Sequence, residues 1–401
     1  MTAIKNLNTP VLIVGGGIGG LAAAVALSKK GVASHVLEQS SEFAEIGAGI
    51  QLGPNVFRAF RELGIYDAVC DKAVFVDDLI MMDSVSGTPI KKIPLGDTIR
   101  ERFKDPYAVI HRADLHQALL SACDATDLIK LTTDTSVEKY AQAGDEITLT
   151  TSDGSEIKGC AAIGADGLWS SIRGQMHGGE KPRVSGHIAY RAVLPLAEVP
   201  EEVKWNAATL WAGPRNHLVH YPLRNWELFN LVAVFHSDRY EEGWNAVGAK
   251  DEMMRCFEGV DDRPMSMLKK VNDWRMWVLC DREPIEDWSD GRVTLLGDAA
   301  HPMLQYFAQG ACMASEDAVC LADMVEKFDG DFAAAFQGYQ KARYLRTARV
   351  QMTARFLGDI YHAAGPVREL RNMVFGGAAP ADADPHAGLA WLYGGNLDTA
   401  G

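Results

Sequence analysis

The chain begins with a run that leaves little conformational freedom. Val11-Leu12-Ile13-Val14, short and rich in β-branched residues, passes directly into Gly15-Gly16-Gly17-Ile18-Gly19-Gly20. An apolar run of that length, bounded by turn residues, reads as a buried parallel strand. Gly15, Gly17 and Gly20 form a GxGxxG pattern. Its first glycine permits the tight turn, its second lets the backbone approach a pyrophosphate, and its third lets helix and strand pack closely. Leu21 to Leu27 is strongly helix-forming, and Gly31 ends that helix. Ser34 to Leu37 supplies the second strand of a βαβ unit. The helix start offers free N–H groups and a positive dipole end to phosphate. Glu38, at the end of the second strand, stands where an acid accepts hydrogen bonds from ribose hydroxyls. A nucleotide site is therefore expected here rather than an empty glycine turn.

The rest of the chain must build around that unit. With 401 residues, one large domain or two intimately joined ones are expected. The apolar share of 47% is enough for a sizeable core and argues against disorder. A net charge of −14 disfavours a nucleic-acid partner, while leaving room for a local basic pocket that an acidic substrate needs. The seven cysteines show neither CxxC pairs nor zinc-ligand spacing, so free thiols in a reducing cytoplasm and no metal site are expected. No signal-peptide pattern precedes Val11, and no apolar stretch reaches the length of a membrane span.

Beyond the βαβ start, Leu115 to Cys123 reads as a helix. Residues 129 to 165 alternate like strands, with turns at Gly144-Asp145 and Asp153-Gly154. His187 to Leu196, Ala207 to Trp211, His217 to Leu223 and Leu228 to Phe235 read as successive strands of a sheet. Met253 to Val271 contains helix, and Arg292 to Leu296 is a strand ending at Gly297-Asp298. Long helical patterns follow, about Ala311 to Lys327 and Phe332 to Tyr361. After Gly365 the chain turns rich in Gly, Ala, Pro and Asp and carries no clear period. The helices after Ala311 read as packing and dimer contact.

Three further segments carry chemistry. Gly164-Ala165-Asp166-Gly167-Leu168-Trp169-Ser170-Ser171-Ile172-Arg173 resembles the DG motif of class A flavoprotein aromatic hydroxylases, Gly297-Asp298-Ala299-Ala300-His301-Pro302 resembles their GD motif, and His111-Arg112-Ala113-Asp114-Leu115 resembles their arginine segment. Together with the GxGxxG pattern they occur in that family's order, spanning residues 11 to about 320. The resemblance selects FAD, which GxGxxG alone does not. It implies an α/β fold: a Rossmann-like FAD-binding domain of the glutathione-reductase/p-hydroxybenzoate-hydroxylase type, an inserted β-sheet substrate domain, and C-terminal helices. The expected division is 1–75, 100–180 and 285–365 for the FAD domain, 76–99 and 181–284 for the substrate domain, and 366–401 for a C-terminal segment. The implied cofactor residues are Gly15, Gly17, Gly20, Glu38, Arg112 against the pyrophosphate, Asp166, Asp298 on a ribityl hydroxyl, Gly310 and Ala311. Gly47-Ala48-Gly49-Ile50-Gln51-Leu52-Gly53 narrowly misses a second dinucleotide pattern and reads as a flavin-side loop. No separate NAD(P)H domain is encoded, so NADH or NADPH is expected as a transient co-substrate, with O₂ as the oxidant.

His217-Leu218-Val219-His220-Tyr221 lies on one strand of the inserted sheet, with 217, 219 and 221 on one face and 218 and 220 on the other. That puts His217 and Tyr221 side by side. By itself His217 fits a structural histidine; by the resemblance it is the base that takes a phenol proton, assisted by Tyr221. Met303-Leu304-Gln305-Tyr306-Phe307-Ala308-Gln309-Gly310 implies a loop at the reactive edge of the flavin, where Gln305 orients the ring. HxxxY with this loop most resembles the family members of aromatic catabolism that convert 3-hydroxybenzoate to 2,5-dihydroxybenzoate (gentisate) through a flavin C4a-hydroperoxide. Members acting on 6-hydroxynicotinate or salicylate are the alternatives. Arg191 is the candidate to hold the substrate carboxylate. An FAD oxidase without oxygen insertion and a non-catalytic redox sensor share GxGxxG and Glu38; only the oxygenase uses the whole set.

Overall fold

A computed structural model describes residues 9–44, 48–237, 246–377 and 383–394. Val11–Val14 lies inside a six-stranded sheet ordered Ser289–Asp290, Val293–Leu295, Ala161–Gly164, Val11–Val14, Ser34–Leu37, Ile129–Thr132. The last five strands pair in parallel. Ser289–Asp290 is an antiparallel edge. Every residue of Val11–Val14 and Ala161–Gly164 is buried, as the two covered faces of a parallel sheet require. Helix Ile18–Lys29 packs against Arg112–Asp124 and Gly310–Lys327. Its buried stretch includes Ala22, Ala23 and Ala24, small side chains that let the neighbouring helices close in.

The second large sheet has eight strands, ordered Ala246–Val247, Arg275–Asp281, Arg183–Pro195, Leu228–His236, Asn216–Leu223, Ala207–Gly213, Asp78–Asp83, Pro89–Pro94. All its pairings are antiparallel except that between Ala207–Gly213 and Asp78–Asp83. One face packs on its own core, with Tyr190, Trp211, Leu218, Leu231, Phe235 and Trp274. The other carries a smaller apolar patch that meets the helix Phe332–Tyr361.

The expected strands and the long helices agree with the structure to within a few residues. Met253 to Val271 resolves into two helices, Lys250–Cys256 and Asp262–Lys270. The tail without a clear period contains a helix too. Gly365–Gly376 starts with a proline in its first turn. It is pinned by Arg368 and Arg371, whose guanidiniums bond the fully buried Asp83 at 2.6 and 2.9 Å. Among the described residues no helix is long and apolar enough to cross a membrane. All seven cysteines are free thiols.

Candidate functional site

The geometry of the parallel sheet brings the GxGxxG loop, Glu38, the DG segment and the GD motif to one edge. Gly15, Glu38, Ala165 and Leu296 each follow the carboxyl end of a neighbouring strand, tied by Gly15 N–H to Leu37 O (2.8 Å), Ala165 N–H to Val14 O (2.8 Å) and Leu296 N–H to Gly164 O (2.9 Å). Ligands of open α/β sheets bind outside that edge. Gly15 has φ +105°, and a Cβ there would lie 2.4 Å from the Ala165 carbonyl oxygen. A Cβ on Gly20 would lie 1.9 Å from the Gly15 carbonyl oxygen, so the loop and the DG segment meet only because these positions are bare. Gly17 sits at the N-cap of Ile18–Lys29 without a side-chain cap, leaving first-turn N–H groups for a ligand.

Glu38 reaches back to this loop, its Oε2 accepting from Gly16 N–H (2.7 Å) and its Oε1 from Ser40 N–H (2.8 Å). Each carboxylate oxygen retains a lone pair for a ribose hydroxyl. Asp166 does two jobs. Its Oδ2 accepts from Ser171 N–H (2.8 Å) and Ile172 N–H (3.3 Å), supporting the start of helix Ser171–His177. Its Oδ1 is buried with no partner among the described residues, and burial raises its pKa. Asp298 follows strand Val293–Leu295 on a single helical turn. Its side chain is solvent-accessible between buried Gly297 and Ala299, which marks the wall of a recess. Enclosure raises its pKa, partly offset by His301 and Arg112. Gly310 overlooks it: a Cβ there would stand 4.0 Å from Asp298 Oδ1. Ala311 continues the same first helical turn. Arg112 begins helix Arg112–Asp124 and anchors by its N–H to Ala48 O (3.0 Å). Bare glycine backbone, an unpartnered carboxylate oxygen, a recessed aspartate and a nearby cation are the donor set that an adenine dinucleotide with a polyol arm requires. Gly47 of the flavin-side loop lies outside the described residues; Gly49–Leu52 is a strand paired with Ala108–His111.

Several supports were invisible in the sequence. His116 Nε2 bonds Gly16 O (2.8 Å). Arg173 of the DG segment donates from Nη1 to Ala299 O (3.0 Å) and Ala300 O (2.7 Å), which locks the DG segment to the GD motif. Beneath the recess runs a buried charge network. Arg343 bonds Glu316 (2.8 Å) and Asp317 (2.6 Å), Asp317 bonds His301 Nε2 (2.5 Å), and Asn55 donates to Glu316 (2.7 Å) and Gln309 (3.0 Å). Burial alone would raise the Glu316 and Asp317 pKa values. The Arg343 and Arg346 guanidiniums reverse this for Glu316; His301 and Arg343 do so for Asp317. The helical period of Glu316-Asp317 and Arg343 was legible, but not their mutual approach. Trp391 of the short helix Ala390–Tyr393 stacks on Phe307 (ring centroids 6.1 Å), so the tail covers the loop bearing Gln305.

On the eight-stranded sheet, cross-strand register composes the pocket. His217 faces Val234, Val219 faces Val232, and Tyr221 faces Asn230; on the next strand Val234 faces Ala189 and Val232 faces Arg191. The result is an apolar floor of Val219, Val232, Val234 and Ala189, roofed by Leu304, Tyr306 and Ala354. His217 and Tyr221 do share its face, as period two demands. They are not side by side, however. Four residues of strand separate them by about 13 Å, so they occupy opposite ends of the floor. The opposite face confirms the alternation, with His220 Nε2 accepting from Trp211 Nε1–H (3.0 Å).

At one end, His217 is buried and its Nδ1 bonds His362 Nε2 (2.7 Å). Burial, then His187, pushes its pKa down to about 3. At the other end, Tyr221 lies on Gly49, where a Cβ would come within 2.5 Å of its ring. Burial raises the Tyr221 phenol pKa, opposed by Arg191. Asn230 Oδ1 accepts from Gly49 N–H (2.8 Å), and its Nδ2 is buried without a partner among the described residues. Gln305, on the turn Gln305–Phe307, accepts through Oε1 from Arg191 Nη2. Burial lowers the Arg191 pKa to about 10, and its buried Nε is also without a partner among the described residues. A desolvated guanidinium with an open N–H suits a carboxylate. Motif resemblance did not point to Asn230, His362 or the Arg191–Gln305 pair.

Comparison with known proteins fits this geometry. Residues 8–349 match the family described as FAD binding domain. The chain is 47% identical over 97% of its length to "3-hydroxybenzoate 6-hydroxylase 1" of Aquipseudomonas alcaligenes, covering 98% of that protein. It is 46% identical over 97% of its length to the 3-hydroxybenzoate 6-hydroxylase of Polaromonas naphthalenivorans, covering 96% of it. Among solved structures, a single-substitution variant of Klebsiella pneumoniae HpxO complexed with FAD superposes with a TM-score of 0.80 at 25% identity, over 92% of this chain and 94% of that one.

Proposed function

From the premise that this chain belongs to the FAD binding domain family and is an FAD-dependent aromatic monooxygenase, we propose that it hydroxylates 3-hydroxybenzoate para to its hydroxyl group, giving 2,5-dihydroxybenzoate. NADH or NADPH supplies the electrons and O₂ the oxygen. Reduced FAD, when bound, activates that oxygen for transfer to the ring. Gly15, Gly17, Gly20, Glu38, Arg112, Asp166, Asp298, Gly310 and Ala311 hold the cofactor at the strand edge.

The observation that supports the substrate reading is the polarity of the pocket floor: an imidazole in the row of Val234 and Ala189, a guanidinium paired with Gln305 one row along beside Val232, and aliphatic side chains between them. A ring with a phenol and a carboxylate on different carbons fits that arrangement. Arg191 holds the carboxylate, and Gln305 fixes the ring plane through Arg191. The Nδ1 of His217 is engaged by His362, which leaves Nε2 to take the phenol proton. Deprotonation sends electron density to the ortho and para carbons; the para carbon of 3-hydroxybenzoate is C6. Tyr221 and Asn230 close the far end. Tyr306, Leu304 and the helix Phe332–Tyr361 exclude water, which keeps the activated oxygen from being lost as H₂O₂.

The test offers 3-hydroxybenzoate, 6-hydroxynicotinate and salicylate to the holoenzyme with NADH, follows substrate-stimulated oxidation, and identifies products by mass and NMR. Gentisate as the dominant product is expected. Stronger coupled turnover of either competitor overturns the substrate reading. We also propose a homodimer. Leu345, Met352 and Phe356 recur on one face of the long helix and are exposed, as are Val367, Leu370, Met373 and Val374 on the next. Light scattering at twice the 43.7 kDa chain mass is the expected result.

A further inference from the structure

The base has nowhere obvious to put its proton. His217 lies under a roof of aromatic rings, with Tyr306 at 5.5 Å and Tyr361 at 5.6 Å between ring centroids. Burial and His187 keep its imidazole neutral, so an imidazolium there is a poor resting state. A phenol proton accepted at this position must move on.

The structure offers a path. His217 Nδ1 bonds His362 Nε2 at 2.7 Å, and His362 Nδ1 bonds His236 Nε2 at 3.1 Å. His362, just beyond the long helix, thus bridges two strands of the sheet through both ring nitrogens. His217 and His362 are buried, while His236 is only partly so. We propose that His362 and His236 form a proton exit, a file of three imidazoles leading from the pocket to the protein surface. This rests on the reading of His217 as the base.

Hydrogen-bond polarity fits. A neutral imidazole has one donor and one acceptor nitrogen. If Nε2 of His217 is to accept, its Nδ1 carries the hydrogen and donates to His362 Nε2. Then His362 Nδ1–H must donate to His236 Nε2. The transfer follows the same order. The phenol O–H breaks as an N–H forms at His217 Nε2. The His217 Nδ1 proton passes to His362 Nε2, the His362 Nδ1 proton to His236 Nε2, and the His236 Nδ1 proton leaves to water. One proton enters, one leaves, and no ring in the interior keeps a charge. His362, whose pKa burial and its three histidine neighbours hold low, passes protons without storing them. His236 has its own pKa lowered by burial and then Arg215, but Asp359 opposes this and favours a transient cation at the outlet. His187 lies beside the file, tilted against His236 (centroids 4.2 Å) and edge-on to His362 (4.6 Å), but its Nδ1 is committed to Tyr306 OH at 2.5 Å. It flanks the path and is not a link in it.

His362 and His236 are therefore positioning residues that act through His217, and the test reads proton movement. Oxidised holoenzyme is mixed with 3-hydroxybenzoate in weak buffer containing a pH-indicator dye. Phenolate absorbance and dye response are followed together by stopped flow. Wild-type protein releases its proton as the phenolate appears. His236→Phe and His362→Gln slow release by about tenfold or more, with the substrate dissociation constant little changed. Imidazole added to His236→Ala restores the rate. Wild-type release rates in both His236→Phe and His362→Gln overturn the exit, and so does slow release that imidazole fails to rescue. Should His362→Gln not fold, His236→Phe decides alone. His217→Ala separates the two claims. Loss of phenolate in that variant, beside wild-type release in His236→Phe, removes the exit and leaves the base. Phenolate formation without His217 removes both.

Discussion

At the carboxyl edge of the parallel sheet, the groups proposed to face the cofactor lie each within a few residues of a glycine or a strand end, many of them backbone. On the eight-stranded sheet, the facing groups are side chains from strands far apart in the chain. The two regions also carry buried polarity in opposite forms. The groove rests on charge, in Arg343 with Glu316 and Asp317. The pocket end rests on neutral rings, in His187, His217 and His362. A site that only binds can be built from rigid backbone and paired ions. One that moves a proton needs groups able to lose and regain it at little cost.

The comparison breaks most visibly at Arg343. Arg343→Met takes one guanidinium from two buried carboxylates, leaving Glu316 with Arg346 (2.7 Å) and Asp317 with His301 (2.5 Å), and is expected to cost about 3 kcal/mol in urea unfolding. FAD content falls with it. The same network sets an acid limit. Glu316 and Asp317 have folded pKa values depressed below 4.5 and 3.8, so their contribution is complete above those values and is lost as pH falls through the lower, folded ones. In Arg343→Met this acid-side slope should shrink. A variant that unfolds at wild-type urea concentration contradicts a supporting role for the network.

On the pocket side, His217→Ala should lower hydroxylation by about 100-fold and raise H₂O₂ released per NADH consumed, with FAD retained. Unchanged coupling across pH removes His217 from the base role. Gln305→Leu frees Arg191 from its partner without removing the cation. A loss of about tenfold in kcat/KM, or ~1.4 kcal/mol, is expected, read as KM and coupling together. A full loss of binding would mean that Gln305, not Arg191, holds the carboxylate.

The gentlest test uses pH alone. His187, His217 and His220 have folded pKa values of about 4, 3 and 3, against 6.5 for the free side chain. The unfolded chain therefore binds protons that the folded one refuses. Stability is fully present above pH 6.5 and declines as pH falls below it. Calorimetry from about pH 8 down to about pH 5 should show Tm falling well before the carboxylates titrate. A flat profile through that range would sink the neutral-ring account.

Much of the fold was legible because period and punctuation are local. The strand Val11–Val14, its glycines and the helix that follows stand where spacing puts them. The helix Phe332–Tyr361 runs over the expected residues. The helix Gly365–Gly376 escaped notice because its stability comes from Asp83, nearly three hundred residues earlier, and not from its own period. The placement of His217 and Tyr221 side by side failed for a simple reason: a shared face does not mean a shared location, and two repeats of strand carry the rings apart.

Sequence alone determined which backbone segments could turn tightly, where first-turn N–H groups would be free of a side-chain cap, and which residues alternate onto one face. Those follow from φ, helix ends and strand pleat, properties of a few consecutive residues. The tertiary structure decided which strand lies beside which. Register set Arg191 beside Val232 on the apolar floor, the turn Gln305–Phe307 brought Gln305 against it, and four histidines from strands and a helix end gathered at one end of that floor. Cross-strand partners are chosen by the packing of the whole sheet, so no local pattern could have named them.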